Sequence, residues 1–175
     1  MDATRIAESL VAMQARSLLV IGDVMLDRYI DGRVTRMSPE APVPVLEKSA
    51  ESDMPGGAAN VACNLAALGC DVRLLAVTGD DAAGDRLASL LGSNLAIDFA
   101  RICDPDRPTT RKTRFRSDGQ QVLRVDEELT ASVSDDVQAR LLDSVKSRLA
   151  TVNAVILSDY AKGGLPVSLM QQIIA

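Results

Sequence analysis

The 175-residue sequence predicts an α/β protein: an open sheet with helices on both faces and a small β-sheet lid. Three observations predict it. Short apolar runs, "SLLVIGD", "DVRLLAVTGDD" and "AVILSDY", end in Gly, Ser or Asp, as buried parallel strands do where they meet a polar site. Stretches of helical periodicity stand between them. Two further stretches alternate in period two but carry prolines or many charges, which suits an exposed ribbon and not a central strand.

Taken in order, residues 2 to about 15 form a helix through Ile6, Leu10 and Met13, and "SLLVIGD" is the first strand. Residues 27–49 then alternate through Tyr29, Ile30, Val34, Val43 and Val45, with prolines 39, 42 and 44 excluding them from a central sheet. "MPGG", residues 54–57, reads as a tight loop that opens a buried helix. In that helix Val61, Ala62, Leu65 and Leu68 line one stripe, and Gly69 stands where a left-handed C-terminal residue belongs. "DVRLLAVTGDD" is the second strand, "AAGDRLASLLGS" a helix, and "LAIDFARIC" a further strand. Within residues 109–128, "TTRKTRFRS" and "QQVLRVDEE" flank Asp118-Gly119, a strong hairpin signal. Ser134 caps the helix "SDDVQARLLDSVKSRLA", which leads to the strand "AVILSDY", the loop "AKGGLP" and the start of a last helix. The chain stops within that helix, so it reads as the N-terminal part of a single domain that is cut short.

Composition excludes several function classes. Nineteen Lys and Arg against 24 Asp and Glu give a net charge of −5, and aromatics are 2%, which argues against a general nucleic-acid binder. Histidine is absent, which removes Ser-His-Asp and Cys-His catalysis. Cys63, Cys70 and Cys103 have no C-x-x-C spacing, so no metal site or disulfide framework is indicated, and a reducing, cytoplasmic setting is expected. Arg5, Glu8 and Arg16 interrupt the N-terminal apolar residues, so no membrane span or membrane partner is expected.

The pattern Gly56-Gly57-Ala58-Ala59-Asn60, followed by Ala62, Gly69 and Gly79, resembles the N-terminal signature of the ribokinase-like (PfkB) sugar kinases, as does "GDVMLD". Within that family, "VIGDVMLDRYIDGRVTRMSPEAPVPVLE", "PTTRKTRFRSDGQQVLRVDEE" and "LSDYAKGGL" are most similar to kinases of D-glycero-β-D-manno-heptose 7-phosphate. The resemblance implies a ribokinase-like fold and ATP-dependent phosphorylation of that sugar at O1, on the route to ADP-heptose for lipopolysaccharide. Family members also carry an Asn-x-x-Glu element associated with magnesium and a Gly-Ala-Gly-Asp motif that supplies the catalytic base. Neither occurs here, so ATP, magnesium and the base are expected from a missing second half, and residues 1–175 alone are expected to be inactive. Action on another sugar, or a non-catalytic sugar-binding or dimerisation module, are the alternatives.

By the same resemblance, Asp27 accepts hydrogen bonds from sugar hydroxyls, Gly56 and Gly57 let the sugar lie against the main chain, and Asn60 reads adjacent hydroxyls. Asp23, in the same loop as Asp27, either joins the sugar site or caps nearby N–H groups. Asp159 matches a position near the sugar, and Lys162 is placed to pair with the 7-phosphate, unless it is a solvated loop lysine. Lys112, Arg114, Arg116 and Arg124 share one face of the second ribbon; a phosphate-clamping lid and a solvated, charge-protected edge are both open. Such ribbons in the family also pair between subunits, so a homodimer through the lids is a possible partnership.

Overall fold

A computed structural model describes residues 2–14, 16–94 and 96–175. The central sheet contains β1 (Ser17–Gly22), β4 (Asp71–Thr78), β5 (Ile97–Cys103) and β8 (Ala154–Ser158), all parallel and ordered β5-β4-β1-β8. The strand order reverses at β1, so right-handed crossovers place the helices that precede the reversal on one face and those that follow it on the other. Strand periodicity then divides the core. Leu18, Val20, Leu74 and Ala76 face one cluster with α2 (Ala58–Ala67) and α3 (Ala82–Gly92). Leu19, Ile21 and Leu75 face the other, against Val137, Leu141 and Val145 of α4 (Asp135–Leu149) and Leu169 of α5 (Val167–Ile174).

Local signals set the helix starts. Asp81 caps α3 by accepting from the Gly84 N–H at 2.8 Å, and Ser134 caps α4 through Val137, as its position in the sequence suggests. In α1 (Ala3–Met13), Met13 packs on the core whereas Ile6 and Leu10 are exposed, so the N-terminal stripe is used only at its last turn. Ala15 and Leu95, included in the expected first helix and third strand, lie outside the described residues.

The second sheet holds β2 (Val24–Met37), β3 (Pro44–Gly57), β6 (Arg111–Ser117) and β7 (Gln120–Glu127), in the order β3-β2-β6-β7. Here β2 is antiparallel to β3 and parallel to β6, and the β6–β7 hairpin turns at Asp118 and Gly119, both with positive φ. The first ribbon is longer than the sequence suggests. It begins at Val24, because Val24, Met25 and Leu26 are buried in the main core, and β3 follows it back to Gly57. Residues 54–57 are therefore not a loop: they are paired strand opposite Val24–Asp27, and α2 starts directly from the strand end.

Since Leu141 is 1% exposed and joins α4 to the sheet, Leu141→Ala is expected to cost about 2–5 kcal/mol of unfolding free energy. Val122→Ser on the exposed strand β7 is expected to stay within about 0.5 kcal/mol. Urea unfolding of both variants checks the contrast, and equal losses would contradict this core assignment.

Candidate functional site

The site is built where β1 and β8 end and the second sheet begins. Asp23 is the single residue between β1 and β2 and is 5% exposed. One of its carboxylate oxygens accepts from the Gly164 N–H at 3.0 Å, and the other accepts from the Tyr160 and Lys162 N–H groups at 2.9 Å each. Its own main chain continues the join, with its N–H donating to the Ser158 carbonyl and its carbonyl accepting from Ala58.

Four residues on, Asp27 is half-buried on β2, with one oxygen accepting from Arg114. A Cβ at Gly56 would lie 2.2 Å from the other oxygen, so the absent side chain lets β3 lie against this carboxylate. Gly57 has φ +59° and caps α2 without a side-chain bond; any Cβ there would meet the Asp23 carbonyl at 2.3 Å. Asn60 is exposed in the first turn of α2. The sequence signal Gly-Gly-x-x-Asn thus marks a strand end packed against two aspartates, followed by a helix N-terminus.

Beyond β8, Asp159 is exposed and accepts from the Ala161 N–H at 2.7 Å, which turns the loop. The Lys162 ammonium donates to Glu128 at 2.9 Å. Glu128 also accepts from Lys112 at 3.2 Å, Lys112 reaches Asp126 at 2.9 Å, and Arg124 pairs with Asp126 at 2.9 Å. Because Lys112 stands opposite Asp27 in the β2–β6 register, this chain of charges runs from the sheet loop to the face that carries Asp27. Farther out, Arg116 makes a two-bond pair with Asp31, and both Arg114 and Arg116 lie over the Tyr29 ring, 5.4 and 4.6 Å from its centre. The cations of the second ribbon are therefore paired: cross-strand carboxylates hold Arg111, Lys112, Arg114 and Arg116, and Asp126 on its own strand holds Arg124. Sequence reading missed Glu128, whose partner Lys162 is 34 residues away. Its only signal was its place at the end of an acidic "DEE" run.

Electrostatics follow from these pairs. Lys162 first, and Lys112 after it, hold the Glu128 carboxyl below the usual carboxylate range. Lys112, followed by Arg124, does the same for Asp126. On the opposite face of the lid, Arg28 and the α3 residue Arg86 hold Asp53 down, Arg28 more strongly. Among the described residues, no group of three or more His, Cys, Asp or Glu side chains is placed to hold a metal ion, and no helix is long and apolar enough to cross a membrane.

A depressed folded-state pKa contributes stability above the unfolded value, about 4, that is lost as pH falls through the folded one. The link from Glu128 to Lys162 is thus expected to be intact at neutral pH and to loosen in acid below about pH 4. Hydrogen-exchange protection of β6 and β7 should fall there before that of β1 and β4, and Glu128→Gln should remove part of this pH dependence. An unchanged profile in that variant would refute the link.

Residues 15–175 match the pfkB family of carbohydrate kinases. The bifunctional protein HldE of Azorhizobium caulinodans is 48% identical over 157 residues, which are 89% of this chain and 33% of that protein. HldE of Hyphomonas neptunium is 44% identical over 171 residues, 98% of this chain and 35% of that protein. This chain spans about a third of the length of these curated relatives. Among solved structures, phosphofructokinase-2 from Escherichia coli in complex with fructose-6-phosphate superposes with a TM-score of 0.69 at 22% identity, covering 92% of this chain and 50% of that one. A carbohydrate kinase from Agrobacterium tumefaciens gives 0.63 at 23%, covering 81% and 45%. At these identities the structural likeness is one of fold, ribokinase-like α/β, whereas the family match is one of sequence. The chain belongs to the pfkB family of carbohydrate kinases.

Proposed function

We propose that these residues are the sugar-binding part of an ATP-dependent kinase that phosphorylates D-glycero-β-D-manno-heptose 7-phosphate at O1. The observation that carries this reading is Asp27, a half-buried carboxylate held by Arg114 and lying against Gly56 at the point where the lid leaves the sheet. A carboxylate so placed takes charge-assisted hydrogen bonds from a polyol, which neutral acceptors make more weakly. Asn60, at the neighbouring helix start, adds a donor and an acceptor. Lys162 and Lys112 converge on Glu128 and offer a phosphate two cations within reach of one anionic group. The likeness of "GDVMLD" and "LSDYAKGGL" to heptose phosphate kinases supports the choice of sugar.

In this reading Asp27, Gly56, Gly57 and Asn60 bind the sugar hydroxyls, Lys162 binds the 7-phosphate, and Asp159 shapes the loop that presents it. Arg124 acts at one remove, through Asp126 and Lys112. Members of this kinase class use ATP with a divalent metal, which supplies charge neutralisation at the transferred phosphoryl group. This chain spans about a third of its curated relatives, and the Gly-Ala-Gly-Asp motif of the family does not occur in it, so we assign nucleotide and metal to the remaining length of the enzyme. The three cysteines are free thiols, which supports a cytoplasmic setting. Strand β7, at the sheet edge with Val122, Leu123 and Val125 exposed, supports pairing of two copies through their lids; sedimentation of the full-length enzyme should then show a dimer.

The direct test is calorimetry on the full-length enzyme. Asp27→Ala and Asn60→Ala should each weaken heptose 7-phosphate binding by about 5- to 100-fold while leaving ATP affinity unchanged. Wild-type affinity in both variants would reject these residues as the sugar site. Tighter binding and turnover with a different phosphosugar would keep the site and change the substrate.

A further inference from the structure

Asp23 shares a loop with Asp27, but its carboxylate is used differently. Among the described residues it makes no ion pair, and both oxygens are occupied by backbone N–H groups of residues 160, 162 and 164. Between these donors, Ala161 and Gly163 have positive φ, 56° and 79°. Alternation of this kind turns successive N–H groups toward one side and makes a concave cradle for an anion. Here the anion is internal. The left-handed conformation at Ala161 is unfavourable for a residue with a Cβ and persists only where its surroundings fix it, which is what three hydrogen bonds to a buried carboxylate do.

The consequence is a direction for Lys162. Its N–H is pinned inward to Asp23 while its side chain extends to Glu128 at the lid, so the residue is held at both ends. We propose that Asp23 is a positioning residue for the sugar-phosphate site: it does not touch the sugar, but shapes residues 160–164 so that Lys162 is presented at the lid for the substrate's phosphate. This rests on the reading above in which Lys162 meets that phosphate. Gly164 belongs to the same device, since a Cβ there would lie 2.6 Å from the Asp23 carboxylate.

The test uses the full-length kinase, with isothermal titration of heptose 7-phosphate and of ATP. Asp23→Asn keeps the size of the side chain but turns an acceptor into a donor facing N–H groups. It is expected to weaken sugar-phosphate binding by about 10-fold or more, with ATP affinity changed less than about twofold. Gly164→Ala presses on the same contact from the loop side and should reproduce the effect even if Asp23→Asn folds poorly. The decisive readout is coupling: Asp23→Asn added to Lys162→Met should cost little beyond Lys162→Met alone, because the first acts through the second. Fully additive losses would make Asp23 a separate sugar ligand and overturn the proposal. So would parallel loss of ATP and sugar-phosphate affinity in both Asp23→Asn and Gly164→Ala, which is the mark of a general folding role. If Lys162→Met leaves sugar-phosphate affinity unchanged, the phosphate site itself is misassigned and both readings fall together.

Discussion

A carboxylate buried where two sheets diverge has to find donors, and Asp23 finds them all in main chain. Burying an ionised group without partners costs several kcal/mol, so whatever satisfies it becomes obligatory. The donors come from the loop after β8, while the carbonyl of the same residue holds the first N–H of α2 and its N–H returns to β8. One residue thus joins the end of the first strand, the end of the last, and the start of the helix that follows the first ribbon. The elements that carry Asp27, Asn60 and Lys162 all leave from this junction. Its position at the reversal of strand order is the general reason a crevice exists there: neighbouring connections leave toward opposite faces.

The second sheet obeys a different constraint. Its strands project away from the core, so burial cannot stabilise them as it does β1 and β4, and β7 is exposed along its whole length. What holds the sheet is its hydrogen-bond ladder with cross-strand charge pairs, each worth only about 0–1 kcal/mol where solvent reaches it. Its links to the core include the buried start of β2, the Asp53 to Arg86 pair with α3, the Lys162 to Glu128 pair, and the Thr109 N–H donating to Asp81 just before β6. The sheet is thus tethered at one end by a buried strand and elsewhere by partly buried ion pairs, while its outer strand β7 faces solvent.

What the sequence made legible was what local rules decide. The apolar runs gave the parallel strands, Ser134 gave the start of α4, and Asp118-Gly119 gave the hairpin, because each depends on neighbours within a few residues. The stretch "MPGG" misled in an instructive way. Glycine pairs signal turns, yet here the small side chains are required by what lies across the strand, the Asp27 carboxylate and the Asp23 carbonyl, and the backbone stays extended up to Gly57. The N-terminal stripe misled for the complementary reason: periodicity shows which face of a helix is apolar and not how much of that face is covered. Candidate binding residues could be named from motifs, but the cradle around Asp23 and the partners of Lys162 and Lys112 join segments between 14 and 141 residues apart, a relation that no local pattern carries.

The paired state of the lid cations bears on how a phosphorylated sugar would be selected. Lys162, Lys112 and Arg124 contribute three positive charges to the chain that runs through Glu128 and Asp126, which contribute two negative ones. Such an arrangement keeps the lysines extended and oriented without leaving a strongly positive patch for any passing anion. A dianionic phosphate has more charge and more acceptor oxygens than the carboxylate it would displace, so exchange with Glu128 favours it; an unphosphorylated sugar offers nothing to make that exchange worthwhile. If the proposed phosphate site is right, discrimination would come from an internal competitor as much as from attraction, a route to specificity where affinity alone would bind too many anions. Under the proposed reading Glu128, inconspicuous in the sequence, would set the threshold a ligand must exceed, and Asp23 would fix where Lys162 stands when it does.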